Sequence, residues 1–289
     1  MNKVKVLAPA KVNLYLRIVG RRLDGYHLLD SLMVPVNLFD EVMITASRSR
    51  PEIAVTCNDP TLPCDETNLA YKASALLCRE TGSGAKISIA LHKRIPVGAG
   101  LGGGSSDAAA VLKGLNVLLS LRLSEDQLCS LGARLGADVP FFILCHPAKV
   151  GGIGEILTTA PPPPSRWLVI VVPPFGVSTP WAYRHFDELF PAETPPALVA
   201  SQWPANWWPS PESLVNDLEQ AVLPVYPQIG RIKDRLLRLG AGGALMSGSG
   251  SAVFGVFQSR PLAEQAVMAL GREGKIFLVE PLAGPPTTV

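Results

Sequence analysis

Five of the seven residues from Gly98 to Gly104 are glycine, and this run leaves the chain few ways to fold around it. Before it, Lys86–Ile95 alternates apolar and polar residues, with Ile87 and Ile89 on one face, which predicts a half-buried strand. After it, Ser105–Leu119 has helical spacing and small residues in its first turns. Glycines permit sharp turns and close approach to the backbone, and a helix start presents unpaired N–H groups. The segment therefore suits a phosphate.

Three interpretations of this segment compete. A Walker A loop requires Lys and then Ser or Thr after the last glycine, but Ser105 stands there, so that interpretation fails. A dinucleotide-binding GxGxxG pattern fits Gly98–Gly103, yet the acidic residues near the required distance, Glu125 and Asp126, lie in a capping box that opens a helix. A tight strand–helix turn with serine N-caps is the third interpretation.

Charge and hydropathy exclude several classes of protein. The formal net charge is only +2 and no long basic block occurs, so we expect no nucleic-acid partner. The longest charge-free apolar stretch, Trp167–Tyr183, is short and interrupted by prolines, so we expect no membrane span. Lys3, Lys5 and Lys11 interrupt the apolar positions of the N-terminus, which argues against a signal peptide.

The cysteines and histidines do not form a metal pattern. The five cysteines are odd in number and never form CxxC, and the four histidines lack ligand spacing, so neither zinc nor a disulfide framework is indicated. No GxSxG motif surrounds a serine, which excludes a hydrolase elbow. We expect free thiols in a reducing compartment, the cytoplasm.

A second glycine cluster and a proline-rich stretch organise the rest of the chain. Six glycines fall within Gly240–Gly255, and 13 of the 27 prolines lie between Pro161 and Pro211. We place a domain boundary at the rigid Pro161–Pro164 linker, giving domains 1–160 and 165–289. Residues 191–211, rich in Pro and Trp, are interpreted as a surface loop or flap.

Hydrophobic patterns predict the individual elements. The expected helices are Asn68–Arg79, Ser124 to about Leu135, Ile229–Leu239 and Leu262–Leu270. The expected strands are two short ones within Val4–Val19 on either side of Pro9, then Leu28–Val36, Glu41–Ala46, Ile53–Thr56, Ala148–Leu157, Trp167–Val172, a pair within Gly243–Phe257, and Ile276–Glu280.

Two charged residues, Asp138 and Lys11, can each be interpreted in two ways. Asp138 follows Gly136 and precedes Val139-Pro140, and the pre-proline restriction predicts an extended Val139. Its carboxylate is either a base for an attacking hydroxyl or a solvent-exposed aspartate at a helix end. Lys11 lies in an apolar strand and is either an edge-strand lysine or a buried cation.

Three stretches resemble the GHMP kinases, small-molecule kinases that lack a Walker A lysine. They are PVGAGLGGGSSDAA from Pro96, APAKVNLYLRIVGRRLDGYH (Ala8–His27) and ALMSGSGSAVFGVF (Ala244–Phe257). Their order and spacing fit the family over nearly the whole chain. The resemblance implies an α+β, two-domain GHMP kinase fold, with a ribosomal S5-like N-terminal domain and a ferredoxin-like C-terminal domain. It also implies ATP and Mg²⁺ as cofactors.

Further stretches are similar to one member of the family that acts on a cytidyl substrate of non-mevalonate isoprenoid precursor synthesis. They are LGADVPFF (Leu135–Phe142), VPPFGVSTP (Val172–Pro180) and NDLEQAV (Asn216–Val222). The resemblance implies ATP-dependent phosphorylation of a hydroxyl of that small molecule.

The resemblance also assigns roles by position. Lys11 and Asp138 fall on the catalytic lysine and aspartate. The ATP-site positions are Asn68, Lys93, Pro96, Val97, Gly98, Ala99, Gly100, Leu101, Gly102, Gly103, Gly104, Ser105 and Ser106. The positions facing the cytidyl substrate are Asn13, Tyr26, His27 and Tyr183, and Ser247–Ser251 are expected to border it. No metal ligand is assigned, although Ser105, Ser106 and Asp107 are nearby.

Two rival functions and two departures stay open. The rivals are another GHMP kinase, acting on homoserine or a mevalonate derivative, and a ligand-binding protein on a kinase fold that has lost catalysis. GYH (Gly25–His27) favours a nucleobase pocket over the first rival. The departures are Cys145-His146-Pro147, where relatives often carry glycines, and the stretch 191–211. A monomer and a weak homodimer are both compatible with the sequence.

Overall fold

The structure is a computed structural model that describes residues 2–47, 50–190, 207–271 and 273–286. The strands are β1 (Asn2–Arg21), β2 (His27–Ser47), β3 (Glu52–Cys57), β4 (Lys86–His92), β5 (Ala148–Gly151), β6 (Ile156–Thr159), β7 (Trp167–Val172), β8 (Gly243–Met246), β9 (Val253–Phe257) and β10 (Lys275–Val279). The α-helices are α1 (Leu69–Thr81), α2 (Gly103–Leu118), α3 (Glu125–Ala133), α4 (Val139–Leu144), α5 (Thr179–Leu189), α6 (Glu219–Val222), α7 (Pro227–Arg238) and α8 (Arg260–Leu270), with a 3₁₀ turn at Pro211–Ser213.

The strands form two sheets. The first has the order β3-β4-β2-β5-β6, with β1 paired antiparallel to β2 and only the β3–β4 pair parallel. The second is antiparallel throughout, in the order β10-β7-β9-β8. The proline linker 161–164 falls between β6, in the first sheet, and β7, in the second.

Apolar side chains of both sheets meet in one buried cluster. It contains Val12 of β1 and Val34 of β2 together with Ile170 of β7 and Phe254 of β9. A separate cluster packs the first sheet against α1 and α2, and α2 approaches closely because it carries a glycine there. A Cβ on Gly114 would lie 2.4 Å from the Ile44 side chain. The shared core brings the loops of the first and second sheets together.

The elements that were predicted from short-range sequence patterns are confirmed. Asn68 caps α1 by accepting from the Ala70 N–H, and Gly82 ends it with a φ of +66°. The isoleucines of β4 are buried as predicted. Ser124 and Gln127 form the expected capping box of α3. The strand pair around SGSGS and the buried β7 are also found.

Three strand predictions are wrong. Val4–Val19 lies in one continuous strand, because register shifts after Pro9 and further on absorb the proline without ending the ladder. Its partner β2 likewise joins the two segments that were predicted as separate strands. Conversely, Ala148–Leu157 divides into β5 and β6, since Gly152 and Gly154 both adopt positive φ and form a turn.

The chain around Asp138 also differs from its prediction. Val139 is the first residue of α4 and not extended, because Pro140 occupies a helix-start position where a missing N–H costs nothing. Asp138 is therefore the residue before a helix, and not the exposed end of the preceding one. Cys145 ends α4 in the left-handed region, at φ +55°, which a glycine would adopt more easily.

Residues 191–206 of the predicted flap lie outside the described residues. The five cysteines are free thiols, as expected. Among the described helices, none is long and apolar enough to cross a membrane.

Candidate active site

A cleft of about 850 Å³ contains almost every predicted site residue. Its lining residues include Lys11, Asn13, Tyr26, His27, Asn68, Lys93, Pro96–Ser105, Asp138 and Tyr183. The exceptions are Ser106, which is buried, and three residues of the expected substrate border, Ser247, Gly250 and Ser251. Elements from both sheets contribute to the lining.

The glycine loop 98–104 uses its glycines for backbone conformation. Gly98, Gly100 and Gly102 have φ values of +66°, +75° and +74°. Gly102 is the N-cap of α2 and no side chain caps that helix, whose first turn begins at Gly103. The serine N-caps of the simple-turn interpretation are therefore absent from this helix. The open helix start faces the cleft, where an anion would meet its N–H groups.

Close approach explains why side chains are excluded from the loop. A Cβ on Gly100 would lie 2.1 Å from the backbone oxygen of Ser247, and one on Gly102 would lie 2.6 Å from Phe142. Both distances are far below any real Cβ contact. The loop therefore packs tightly between the second glycine cluster, at Ser247, and α4, at Phe142.

The segment Ser247–Ser251, which lies within the second glycine cluster, contacts the glycine loop 98–104 directly. The Ser247 hydroxyl donates to the Gly100 carbonyl at 3.1 Å, and the Ala252 N–H donates to the Ala99 carbonyl at 3.1 Å. A Cβ on Gly248 would lie 3.2 Å from the Lys11 Nζ. The two clusters form one wall of the cleft.

Asn216 anchors this wall, a role that the sequence did not reveal. Its buried amide donates to the carbonyls of Met246 and Gly248, at 2.8 and 2.7 Å. The neighbouring Asp217 accepts from the Ile18 N–H at 2.8 Å, which ties β1 to the same segment. The only sequence signal was the position of Asn216 within the NDLEQAV stretch.

Lys11 is a buried cation and not an edge-strand lysine. It is 4% exposed, and its Nζ donates to Asn13 Oδ1 at 2.5 Å. The other end of the Asn13 amide donates to Ser31 Oγ at 2.9 Å, and Ser31 in turn donates to the Tyr15 carbonyl. This chain fixes the orientation of the amide. Burial lowers the pKa of Lys11, while the charge of Asp138 acts in the opposite direction.

Asp138 lies at the same end of the cleft. Its carboxylate is partly exposed, and no side-chain hydrogen bond caps α4 with it. Its charge acts on Lys11 and also on Tyr183, whose pKa is raised by burial and then by Asp138. The structure therefore brings Lys11 and Asp138 together, which spacing alone could not establish. A partly exposed carboxylate beside a buried ammonium is suited to accept a proton from a bound hydroxyl.

His27 and Tyr183 form another part of the cleft lining. Their rings stack with centroids 4.8 Å apart and an angle of 30° between planes. His27 Nε2 lies 2.6 Å from Asp187 Oδ1, and Asp187 also pairs with Arg21 at 3.2 Å. Tyr26 is 60% exposed at the rim, so its face is open to a planar ligand. Tyr183 lines the cleft and stacks on His27, a pairing that the sequence did not indicate.

Asn68 and Lys93 line the end of the cleft beyond the glycine loop. Asn68 holds its capping role and also donates to the Pro63 carbonyl at 2.7 Å. Lys93 Nζ bridges the buried carboxylates of Asp40 and Asp107. Burial alone would lower the pKa of Lys93, but the two carboxylates raise it above its ordinary value. Lys93 is therefore a buried, charged side chain that lies next to the glycine loop 98–104.

Asp107 and Ser106 carry polar atoms that nothing in the described structure satisfies. Asp107 Oδ1 and Ser106 Oγ are buried without a hydrogen-bond partner among the described residues. Burial raises the pKa of Asp107 to about 7. No cluster of three or more His, Cys, Asp or Glu residues suited to a metal occurs in the described ranges.

Family models match both halves of the chain. The model of the GHMP kinases N terminal domain matches residues 68–146, and that of the GHMP kinases C terminal matches residues 208–276. The chain belongs to the GHMP kinases. It is an ATP-dependent kinase with the two-domain fold of that family, as the sequence predicted.

Its relatives narrow the class further. A protein of Citrifermentans bemidjiense is 44% identical over 272 residues, covering 94% of this chain and 96% of that protein. One of Syntrophotalea carbinolica is 45% identical over 278 residues, covering 96% and 98%. Both are named 4-diphosphocytidyl-2-C-methyl-D-erythritol kinase.

Solved structures agree with this assignment. A crystal structure of 4-(cytidine 5'-diphospho)-2C-methyl-D-erythritol kinase superimposes with a TM-score of 0.77 at 36% identity, covering 96% of this chain and 98% of that one. A homoserine kinase from Cytophaga hutchinsonii gives a TM-score of 0.73 at 21% identity, covering 100% and 98%. The second likeness concerns the fold alone.

Proposed function

We propose that this chain transfers the γ-phosphate of ATP to the 2-hydroxyl of 4-diphosphocytidyl-2-C-methyl-D-erythritol, in non-mevalonate isoprenoid precursor biosynthesis. One observation carries the proposal: Lys11 and Asp138 lie in the same cleft as the open glycine loop and the His27–Tyr183 stack. The loop suits a triphosphate and the aromatic side suits a nucleobase. The reacting hydroxyl would then lie between them, beside Asp138.

Asp138 acts as the base. As the 2-hydroxyl oxygen attacks the γ-phosphorus in line, its proton passes to the Asp138 carboxylate, and the bond from phosphorus to the β,γ-bridging oxygen breaks to release ADP. Lys11 remains protonated in this step. Its ammonium stabilises negative charge on the transferring phosphoryl group.

The remaining site residues bind and orient the two substrates. We assign the triphosphate to the glycine loop and the first turn of α2, including Ser105, with Ser106 supporting the loop from below. Asn68 and Lys93 line the adenine side, and Lys93 acts there through its pairs with Asp40 and Asp107. Asn13, Tyr26, His27 and Tyr183 face the cytidyl substrate.

We also infer that Mg²⁺ accompanies ATP. The fit rests on Asp107 Oδ1, a buried carboxylate oxygen that lines the cleft without a partner among the described residues, and on the nearby Ser105 hydroxyl. Oxygen donors of this kind suit Mg²⁺. When bound, the ion would neutralise charge on the β- and γ-phosphate oxygens.

The wider setting follows from the same features. We propose that domains 1–160 and 165–289 enclose the cleft between them, and that the protein works in the cytoplasm, where its free thiols stay reduced. We propose a monomer or a weak homodimer without a nucleic-acid partner.

Phosphate transfer across a panel of acceptors tests the proposal. The chain is incubated with labelled ATP and, separately, the cytidyl compound, homoserine and mevalonate, and products are identified by mass spectrometry. We expect one phosphorylated product, from the cytidyl compound, with one ADP formed for each. Turnover of homoserine or mevalonate instead would assign another kinase activity. ATP binding without any product would indicate a binding protein.

A further inference from the structure

Asp40 lies within β2 and does not line the cleft, yet both of its carboxylate oxygens hold the chain where it leaves β4. The residue is fully buried. Oδ1 accepts from the backbone N–H groups of Arg94 and Ile95, at 2.5 and 2.8 Å. Oδ2 pairs with the Lys93 ammonium. One carboxylate therefore fixes three consecutive residues just before the glycine loop 98–104.

Lys93 extends this hold to the other end of the loop. Its ammonium also pairs with Asp107 Oδ2 at 2.5 Å, and Asp107 lies near the start of α2. The side chains of Asp40, Lys93 and Asp107 are at most 5% exposed, so solvent screens their charges weakly. The Asp40–Lys93–Asp107 bridge thus joins the residues before and after the glycine loop and anchors both to β2.

The start of α2 packs against the same residues. A Cβ on Gly103 would lie 3.1 Å from the Ile95 side chain and 3.3 Å from the Lys93 Nζ. No side chain caps α2, and glycine has more backbone freedom than other residues, so the loop depends on outside contacts to hold its N–H groups in place. N–H groups that are already in place bind an anion more tightly, because less conformational entropy is lost on binding.

We propose that Asp40 is a positioning residue for ATP, which holds Lys93, Arg94 and Ile95 so that the glycine loop and the start of α2 are preorganised for a triphosphate. The inference rests on the proposed assignment of the triphosphate to this loop. It adds a buried residue outside the cleft that sets the affinity for the phosphates of ATP.

The charge of Asp40 and its positioning role predict opposite effects on ATP binding. Like charges repel, so removing the carboxylate charge alone would strengthen binding of the ATP polyanion. Loss of positioning would weaken it. In Asp40→Asn the amide oxygen can still accept from the N–H groups of Arg94 and Ile95, but the side chain can no longer form the ion pair with Lys93. The variant therefore tests the bridge with little change in shape.

The test measures the dissociation constants of ATP and AMP by calorimetry, without acceptor, in the wild type and in Asp40→Asn. We expect Kd for ATP to rise about tenfold, as for the loss of one charged hydrogen bond, and Kd for AMP to stay within about threefold. Glu41→Gln is the matched control. Glu41 is the next residue of β2, faces the other side of the strand and pairs with Lys5 at 2.8 Å, so it should bind both nucleotides as the wild type does.

Steady-state kinetics gives a readout that a general loss of structure would not produce. KM for ATP should rise in Asp40→Asn by about the same factor as Kd, while kcat and KM for the cytidyl substrate stay within about threefold.

Asp107→Asn keeps the inference testable if Asp40→Asn does not fold. It breaks the same bridge from α2, and its binding is measured without Mg²⁺, so that a metal at Asp107 does not contribute. We expect a several-fold rise in Kd for ATP and an unchanged Kd for AMP.

Unchanged or tighter ATP binding in Asp40→Asn, or in Asp107→Asn where it replaces that variant, would overturn the inference. Equal losses for ATP and AMP would also overturn it. A wild type that binds ATP no more tightly than AMP would overturn it together with the assignment of the triphosphate to the loop. If the wild type transfers no phosphate to the cytidyl substrate, the proposed function fails, and the binding data still decide the role of Asp40.

Discussion

The Ser247 hydroxyl donates a hydrogen bond to the Gly100 carbonyl across 147 residues of chain, at 3.1 Å. This contact joins the two glycine clusters, which come from opposite domains of the proposed organisation. The two backbones approach closely, because a Cβ on Gly100 would lie 2.1 Å from the Ser247 oxygen and one on Gly248 would lie 3.2 Å from the Gly100 oxygen. The phosphate loop is therefore positioned by the second sheet as well as by its own strand and helix.

Gly100→Ala should damage ATP binding more than folding strain alone explains. The new Cβ would meet the Ser247 backbone oxygen at 2.1 Å, so one of the two loops must shift. We expect KM for ATP to rise by about tenfold or more. Gly82→Ala is the matched control, because Gly82 also has a positive φ but has nothing within 4 Å.

The control separates strain from contact. Gly82→Ala should cost about 1–2 kcal/mol of unfolding free energy for its left-handed backbone and leave KM for ATP unchanged. Urea denaturation and steady-state kinetics on both variants give the comparison. Equal KM values for Gly100→Ala and Gly82→Ala would show that contact between the clusters does not shape the ATP site.

Ser31, whose hydroxyl accepts a hydrogen bond from the Asn13 amide, should matter for catalysis. Ser31→Ala removes the acceptor that fixes the Asn13 amide, whose other end accepts from Lys11. With the amide free to rotate, the Lys11 ammonium loses its fixed position, and we expect kcat to fall several-fold to tenfold. Ser88→Ala, at an exposed site on β4, is the control for the same chemical change in a strand. A normal kcat in Ser31→Ala would remove Ser31 from the account.

Lys11 should give the rate an alkaline limb below the ordinary lysine pKa of 10.5. Burial lowers the pKa of Lys11, so the active ammonium is present at low pH and is lost as pH rises through that lowered value. A pH profile of kcat measures the limb. In Lys11→Arg the residual activity should lack it, because a guanidinium stays charged throughout. An unchanged limb in that variant would assign the titration to another group.

Asp107 should make stability depend on pH in an unusual direction. Burial raises the pKa of its carboxyl from 3.8 to about 7, so the folded state keeps a proton that the unfolded state releases. Between these values the folded state binds more protons, and stability falls as pH rises. We expect the wild type to lose unfolding free energy between about pH 4 and pH 7 relative to Asp107→Asn, which cannot titrate. Parallel urea curves for the two proteins would contradict this.

The sequence predicted those parts of the molecule that local rules determine. The caps of α1, the capping box of α3 and the alternation of β4 depend on neighbours within a few residues. The glycine loop was predictable for the same reason, because five glycines in seven residues have few other uses.

Predictions were wrong where another effect overrides a local rule, which is a distant partner at Pro9 and a competing local rule at Val139. Pro9 was expected to break a strand, but the long β1–β2 ladder absorbs it in a register shift. Val139 was expected to be extended before Pro140, but it begins α4, where a proline is well tolerated.

The long-range contacts of the site were likewise not predictable from local sequence patterns. Lys11 and Asp138 were assigned by resemblance, and only the fold brings them together. Asp187 gave no sequence signal, because its partner His27 is 160 residues away and no local pattern links them.

The rate of phosphoryl transfer in Asp138→Asn, measured in a single turnover with enzyme in excess over the cytidyl substrate, tests the central claim most directly. Binding of both substrates is measured on the same preparations, with Asp126→Asn, an exposed aspartate on α3, as the control. If Asp138 is the base, transfer slows by roughly 10²–10⁴-fold while the dissociation constants of ATP and acceptor stay within about threefold. Transfer at the wild-type rate in Asp138→Asn would contradict the mechanism.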